Sequence, residues 1–293
     1  MHRSLALVVL VLGTAAAVSP APAHAQRRDG ARIVAGQQLV LLLNPMGAEH
    51  ALDVGVRGSI GDQGDILFQG AHAQAGAITY VSPVYALGGG YIELSPLSFL
   101  VLRAEVTGGG IWPIGMNGAG YYGVLGYDAD VRGQALAAED GRSASGWSFT
   151  GSATLQGMLP LGPLRVLMAS ELALTRAQMG DAPFYYSMKY DLVLARDDLV
   201  LTSSSFVGVE LDAASDLIVR VGAYDDLRHV PASGYVGHQV GPLVMLEWEA
   251  PAPGVASLAV FVRGGWYTHH VTRRDESTIL GGVALSYDLG SVR

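Results

Sequence analysis

The sequence predicts an all-β protein, a transmembrane antiparallel up-and-down β-barrel of about 12 strands, and three observations predict it. Polar residues fall on every second position through segment after segment, as in Trp147-Ser148-Phe149-Thr150-Gly151-Ser152-Ala153-Thr154-Leu155-Gln156. There Trp147, Phe149, Ala153 and Leu155 share one face, and Ser148, Thr150, Ser152, Thr154 and Gln156 share the other. That is the period of an extended strand with two unlike sides. Composition is the second observation. Half the residues are apolar and only 15% are charged, against about 25% charged in ordinary soluble domains. A lipid-facing exterior around a sheltered lumen needs few charges. The third is the start of the chain. His2 and Arg3 form a short basic region, Leu5 to Val18 is apolar, and Ala23-His24-Ala25 is a small-x-small cleavage signal. The apolar stretch is shorter than the ~20 residues of a spanning helix. Residues 1–25 therefore read as a signal peptide cleaved near Ala25, and 26–293 as a single barrel domain.

Taken in order, strand signals lie near 52–59, 84–94, 98–110, 121–131, 146–158, 164–176, 184–194, 199–212, 217–226, 242–250, 256–269 and 278–289. Leu39 to Leu43 and Asp65 to Tyr80 would raise the count to 14. Lengths near ten residues suit a tilted crossing of a bilayer. Pro and Gly in Ser95-Pro96-Leu97, in Pro160-Leu161-Gly162-Pro163 and between Ala250 and Gly254 reverse the chain. In 98–110, Leu100, Leu102 and Val106 oppose Arg103, Glu105 and Thr107. In 184–194, Phe184, Tyr186, Met188, Tyr190, Leu192 and Leu194 oppose Tyr185, Ser187, Lys189 and Asp191. In 256–269, Leu258, Val260, Val262 and Trp266 face out, and Arg263, Tyr267 and His269 face in. This strand set places the Pro160–Pro163 turn on the outside and the long 132–145 connection on the inside, the reverse of the usual loop asymmetry.

Trp112, Trp147, Trp248, Trp266 and Tyr287 fall at or near strand ends, the aromatic girdle of a membrane barrel. Near the C-terminus, Gly282-Val283-Ala284-Leu285-Ser286-Tyr287 resembles the terminal strand signal of bacterial outer-membrane barrels, although the chain ends on Arg293 rather than on an aromatic residue. The resemblance implies a bacterial outer-membrane location with lipid as surroundings, and the barrel-assembly machinery as a partner through the C-terminal strand. It extends to the general architecture, which is porin-like, and not to a particular family.

The inward phase collects Asp53, Arg57, Arg103, Glu105, Arg165, Glu171, Lys189, Asp191, Arg220, Glu247 and Arg263 as lumen-lining charges. They either line a wet pore and bias the ions that pass, or pair across strands and close it. The absence of cysteine excludes a disulfide scaffold, a cysteine zinc site and a thiol-linked lipid anchor. No cofactor or metal site is expected. Adjacent His269 and His270 point to opposite faces if they lie in a strand. The net charge of −8 speaks against nucleic acid as a partner. No catalytic residues are assigned and the expectation is not an enzyme. A hydrolase of this compartment would place His and Ser two residues apart on one face, and His238-Gln239-Val240 puts a valine where the nucleophile should be. Asp225, Asp226 and His229 read as solvated rim residues. The leading expectation is a passive channel or export conduit for small polar solutes. The alternative is a closed structural barrel anchoring an envelope-spanning assembly.

Overall fold

The computed structural model describes residues 30–44, 47–114, 120–129, 131 and 141–292; the expected signal peptide lies outside them. The described residues contain no helix. Their strands are β1 (Arg32–Leu43), β2 (Gly47–Ser59), β3 (His72–Ser82), β4 (Tyr85–Leu97), β5 (Leu100–Ile111), β6 (Tyr122–Val124), β7 (Ala144–Leu161), β8 (Leu164–Met179), β9 (Phe184–Ser187), β10 (Leu192–Ala195), β11 (Asp197–Ala214), β12 (Leu217–Val230), β13 (Tyr235–Ala252), β14 (Val255–His269) and β15 (Ser277–Ser291). Twelve of them close into one antiparallel barrel in the order β1-β15-β14-β13-β12-β11-β8-β7-β5-β4-β3-β2, and β10, β9 and β6 form a separate small sheet.

The number twelve agrees with the sequence expectation, but its membership does not. Segments 121–131 and 184–194 are not barrel strands; they supply β6, β9 and β10. Their places in the ring are taken by β1 and β3. The β1–β15 ladder that closes the ring runs from Arg32 opposite Ser291 to Leu43 opposite Ile279, with one irregularity after Ile33.

Both chain ends and the short β4–β5, β7–β8, β11–β12 and β13–β14 turns lie at one end of the barrel, together with the 60–71 connection. The two longest connections, carrying β6 and the β9–β10 hairpin, lie at the other. Short turns belong to the periplasmic side of such barrels and long loops to the extracellular side, so the ends are called inner and outer accordingly. The expected reversal of loop asymmetry is thereby corrected. The Pro160–Pro163 turn is at the inner end, because β1 and β3 join the ring before it while 121–131 leaves it, a net change of one strand.

Outward residues are apolar and exposed: Leu41, Leu155, Met168, Val207 and Val262 all keep more than half of their accessible surface. A continuous belt of this kind is a liability in water and an asset in lipid. Trp147 and Trp266 stand outward near the outer end, Trp248 and Tyr287 near the inner end, and Trp112 just past β5 donates its indole N–H to Pro83 O at 2.9 Å. Gly88-Gly89-Gly90 and Gly108-Gly109-Gly110 lie inside β4 and β5, where the two backbones pack closely. An added Cβ at Gly89 would collide with the Val106 carbonyl and come within 2.8 Å of Thr107 Cα, a use of glycine expected in curved sheets.

Candidate functional site: the lumen and its insert

Inward side chains leave a cavity of about 2740 Å³ inside the barrel. It runs from Gly30, Gly254 and Gly290 at the inner mouth to Lys189 and Tyr190 near the outer end. Its wall carries most of the expected charges, and most are paired. Arg220, only 4% exposed, lies between Glu210 (2.6 Å) and Glu247. Arg165 binds the other oxygen of Glu210 at 2.6 Å and also Asp212. Arg103 reaches Glu93 at 3.2 Å and Glu105 at 3.4 Å and stacks 4.0 Å above the Tyr91 ring. Arg263 pairs with Asp226 at 2.6 Å. Arg57 donates to Gln74 at 2.7 Å, Asp53 accepts from Tyr91 at 3.2 Å, and Glu171 accepts from Thr154 at 3.3 Å.

Lys189 and Asp191 require correction. Their alternation with apolar neighbours comes not from a spanning strand but from a hairpin folded into the lumen. Lys189 and Asp191 lie between β9 and β10, at its tip. Lys189 Nζ sits 4.2 Å from the Tyr80 ring of β3, and the carbonyl of Tyr190 accepts from Arg228 of β12 at 2.9 Å. β3 and β12 are six positions apart on a ring of twelve, so the tip spans the mouth from wall to wall. Asp191 lines no water-filled space. It is 2% exposed and accepts from Tyr186 at 2.6 Å and from Arg273 Nε at 2.8 Å, with His270 Nε2 3.1 Å away. The Thr272 N–H donates to His270 Nδ1, which turns the Nε2 side toward Asp191.

Burial opposes the charge on Asp191, yet the hydrogen bond from His270 and the Arg273 guanidinium hold its pKa well below the usual carboxylate range. Burial likewise works against the Lys189 ammonium, but Tyr190, Glu49 and Glu105 keep its pKa above the ordinary value. Around these polar anchors Tyr80, Tyr85, Tyr121, Tyr122, Tyr186 and Met188 form an apolar cluster that packs the insert into the outer mouth.

Glu93 and Glu210 complete ion pairs and were not singled out from sequence, although each falls on the inward phase of its strand; Asp226, read as a solvated rim residue, instead faces the lumen and pairs with Arg263. Tyr80, Arg228, His270 and Arg273 carried no such signal, because their role depends on the insert. His270 and Arg273, in the connection after β14, hold the hairpin tip through Asp191. Asp225 and Asp226 point to opposite faces of β12.

No family profile and no curated protein sequence matches the chain. Solved structures similar to it are bacterial outer-membrane barrels. The β domain of the Bordetella autotransporter BrkA has a TM-score of 0.46 at 14% identity, over 88% of this chain and 99% of that one. LpxR from Salmonella typhimurium has 0.45 at 10% identity, over 86% and 99%. OmpT of Vibrio cholerae has 0.35 at 8% identity, over 88% and 97%. The chain's own strand pairing gives the closed antiparallel architecture of such barrels. The expectation that it is not an enzyme is corrected: the barrel fold is compatible with enzymes.

Proposed function

We propose that the chain is a porin-like channel of the bacterial outer membrane for small polar solutes, with the β9–β10 insert as its constriction. The observation that carries this reading is the cavity, wide and lined by ion pairs, that opens at the inner mouth and extends to the hairpin tip. Charges satisfied by one another along the wall leave the axis free for water, and a wet lined path with one narrow point is the arrangement that selects among solutes. The cavity also speaks against a lumen paired shut, the arrangement a purely anchoring barrel would use.

The test is single-channel conductance of refolded protein in a planar bilayer, compared with a variant in which residues 184–195 are replaced by a short Gly/Ser linker. The variant is expected to conduct severalfold more than wild type while keeping heat-modifiable migration on a gel. Equal conductance in the two proteins, or none in either, would overturn the reading.

A further inference from the structure

One arrangement of side chains lies outside the lumen and has no part in conduction. Near the outer rim, Asp225 of β12, His238 of β13 and Thr268 of β14 form a continuous hydrogen-bonded chain across three neighbouring strands. His238 Nε2 is 2.7 Å from Asp225 Oδ2, and His238 Nδ1 is hydrogen-bonded to Thr268 Oγ1. All three face outward. Their chain neighbours Tyr224, Gln239 and Tyr267 face the lumen and are each buried to 3% exposure.

A regular ladder would not produce this alignment. The β13–β14 register pairs Gln239 with Tyr267 but His238 with His269, so Thr268 is the extra residue of a β-bulge. The β14–β15 ladder ends at Trp266 opposite Ser277, leaving Thr268 without a register partner on that side too. Bulges re-aim side chains, and here the bulge turns a hydroxyl onto an imidazole. With Asp225 accepting from Nε2–H, the lone pair of Nδ1 faces the threonine hydroxyl. The carboxylate then stabilises the imidazolium formed when the hydroxyl proton is taken. The base is in hydrogen-bond reach of both the nucleophile and the orienting acid.

We propose that Thr268, His238 and Asp225 form an ester-hydrolysing site on the exterior of the barrel, acting on an acyl ester of an amphiphile held in the outer leaflet. This rests on the barrel's seat in a bilayer and not on its lumen. The substrate class follows from the surroundings. Toward the membrane centre the same three strands present Val221 and Ala223, Val240 and Val244, and Trp266 and Val262 outward. An acyl chain lying along these residues presents its carbonyl at the height of Thr268.

In the first step Thr268 Oγ bonds to the carbonyl carbon as its proton passes to His238 Nδ1. The ester C–O bond then breaks, and His238 returns the proton to the departing alcohol. Water attacks the acyl-threonine with the same proton transfers and releases the carboxylic acid. The sum is ester plus water giving acid plus alcohol. Thr268 and His238 are the catalytic residues, and Asp225 is a positioning residue.

The test uses the refolded full chain with mixed micelles of a short-chain phosphatidylcholine and measures fatty-acid release. Wild type is expected to release fatty acid. Thr268→Val and His238→Asn are expected to release about a hundredfold less or lower, and Thr268→Ser to remain active. A fluorophosphonate probe should leave its covalent adduct on Thr268, located by mass spectrometry. Unchanged gel migration and conductance of Thr268→Val show that the fold and the channel are intact. No release by wild type above a protein-free control, or equal release by Thr268→Val, overturns the proposal. Recovery of the protein as a soluble species would sink the bilayer reading instead, so the two failures are distinguishable.

Discussion

Arg220 shows what a charge costs in this lumen and what keeps it there. Its guanidinium joins Glu210 to Glu247, and all three side chains are nearly inaccessible. Replacing it by methionine keeps much of the volume but leaves Glu247 without a cation and Glu210 with Arg165 alone. Removing one partner of a buried pair costs on the order of 3–5 kcal/mol, so Arg220→Met is expected to lower the urea midpoint for unfolding in detergent clearly. A midpoint equal to wild type would mean that water, and not Arg220, satisfies these carboxylates. Asp191 gives the second prediction at this scale. Its pKa is depressed in the folded protein, so its ionised form strengthens the docking of the insert. That contribution is complete above the ordinary Asp value of about 3.9 and is lost only as pH falls below it toward the folded value. Asp191→Asn is therefore expected to loosen the hairpin at neutral pH, read as raised conductance, whereas the wild-type hairpin holds through mild acid. Equal conductance of variant and wild type at neutral pH would show that the carboxylate is not what holds the tip.

At the scale of elements, the strands that were hard to find are those that touch the insert. β7 and β5 alternate cleanly because one side meets lipid and the other meets water or paired charge. β1 does not, since its inward residues Val34, Val40 and Leu42 are also apolar, and Leu42 belongs to the cluster around the hairpin. β3 alternates in its inner half, with Gln74 inward, and then turns Ile78 and Tyr80 onto the insert. The hairpin produced the opposite error. Phe184 to Leu194 alternates, but nearly every residue on both of its sides is buried, and periodicity alone does not distinguish a second wall from a plug. The lumen charges on β2, β5, β8, β12, β13 and β14 were legible because phase decides their side. The outward chain of Asp225, His238 and Thr268 was not, because it depends on three strands and a one-residue register step.

Over the whole molecule, the two ends of the barrel are unequal. The inner mouth opens into the cavity, and the outer mouth is crossed by the hairpin. A thiol introduced at Ser152, on the cavity wall of β7, would be the chain's sole cysteine. It is expected to react with a bulky membrane-impermeant maleimide supplied at the inner side of a proteoliposome and to be protected from the outer side. Equal labelling from both sides would mean that the hairpin does not obstruct the passage.

The placement of that hairpin separates mechanical strength from traffic. Its two stems rise from β8 and β11, which remain joined beneath it by a ladder from Asp197 opposite Gln178 to Leu211 opposite Leu164. Its tip grips the far wall through Tyr80, His270 and Arg273, and Arg228 of the neighbouring β12 holds it on the near side. It is therefore hung like a door, hinged on one jamb and latched on the other, and opening it breaks no seam of the wall. Selection can alter the latch freely, one contact at a time, while the cylinder that must survive insertion into the membrane stays the same.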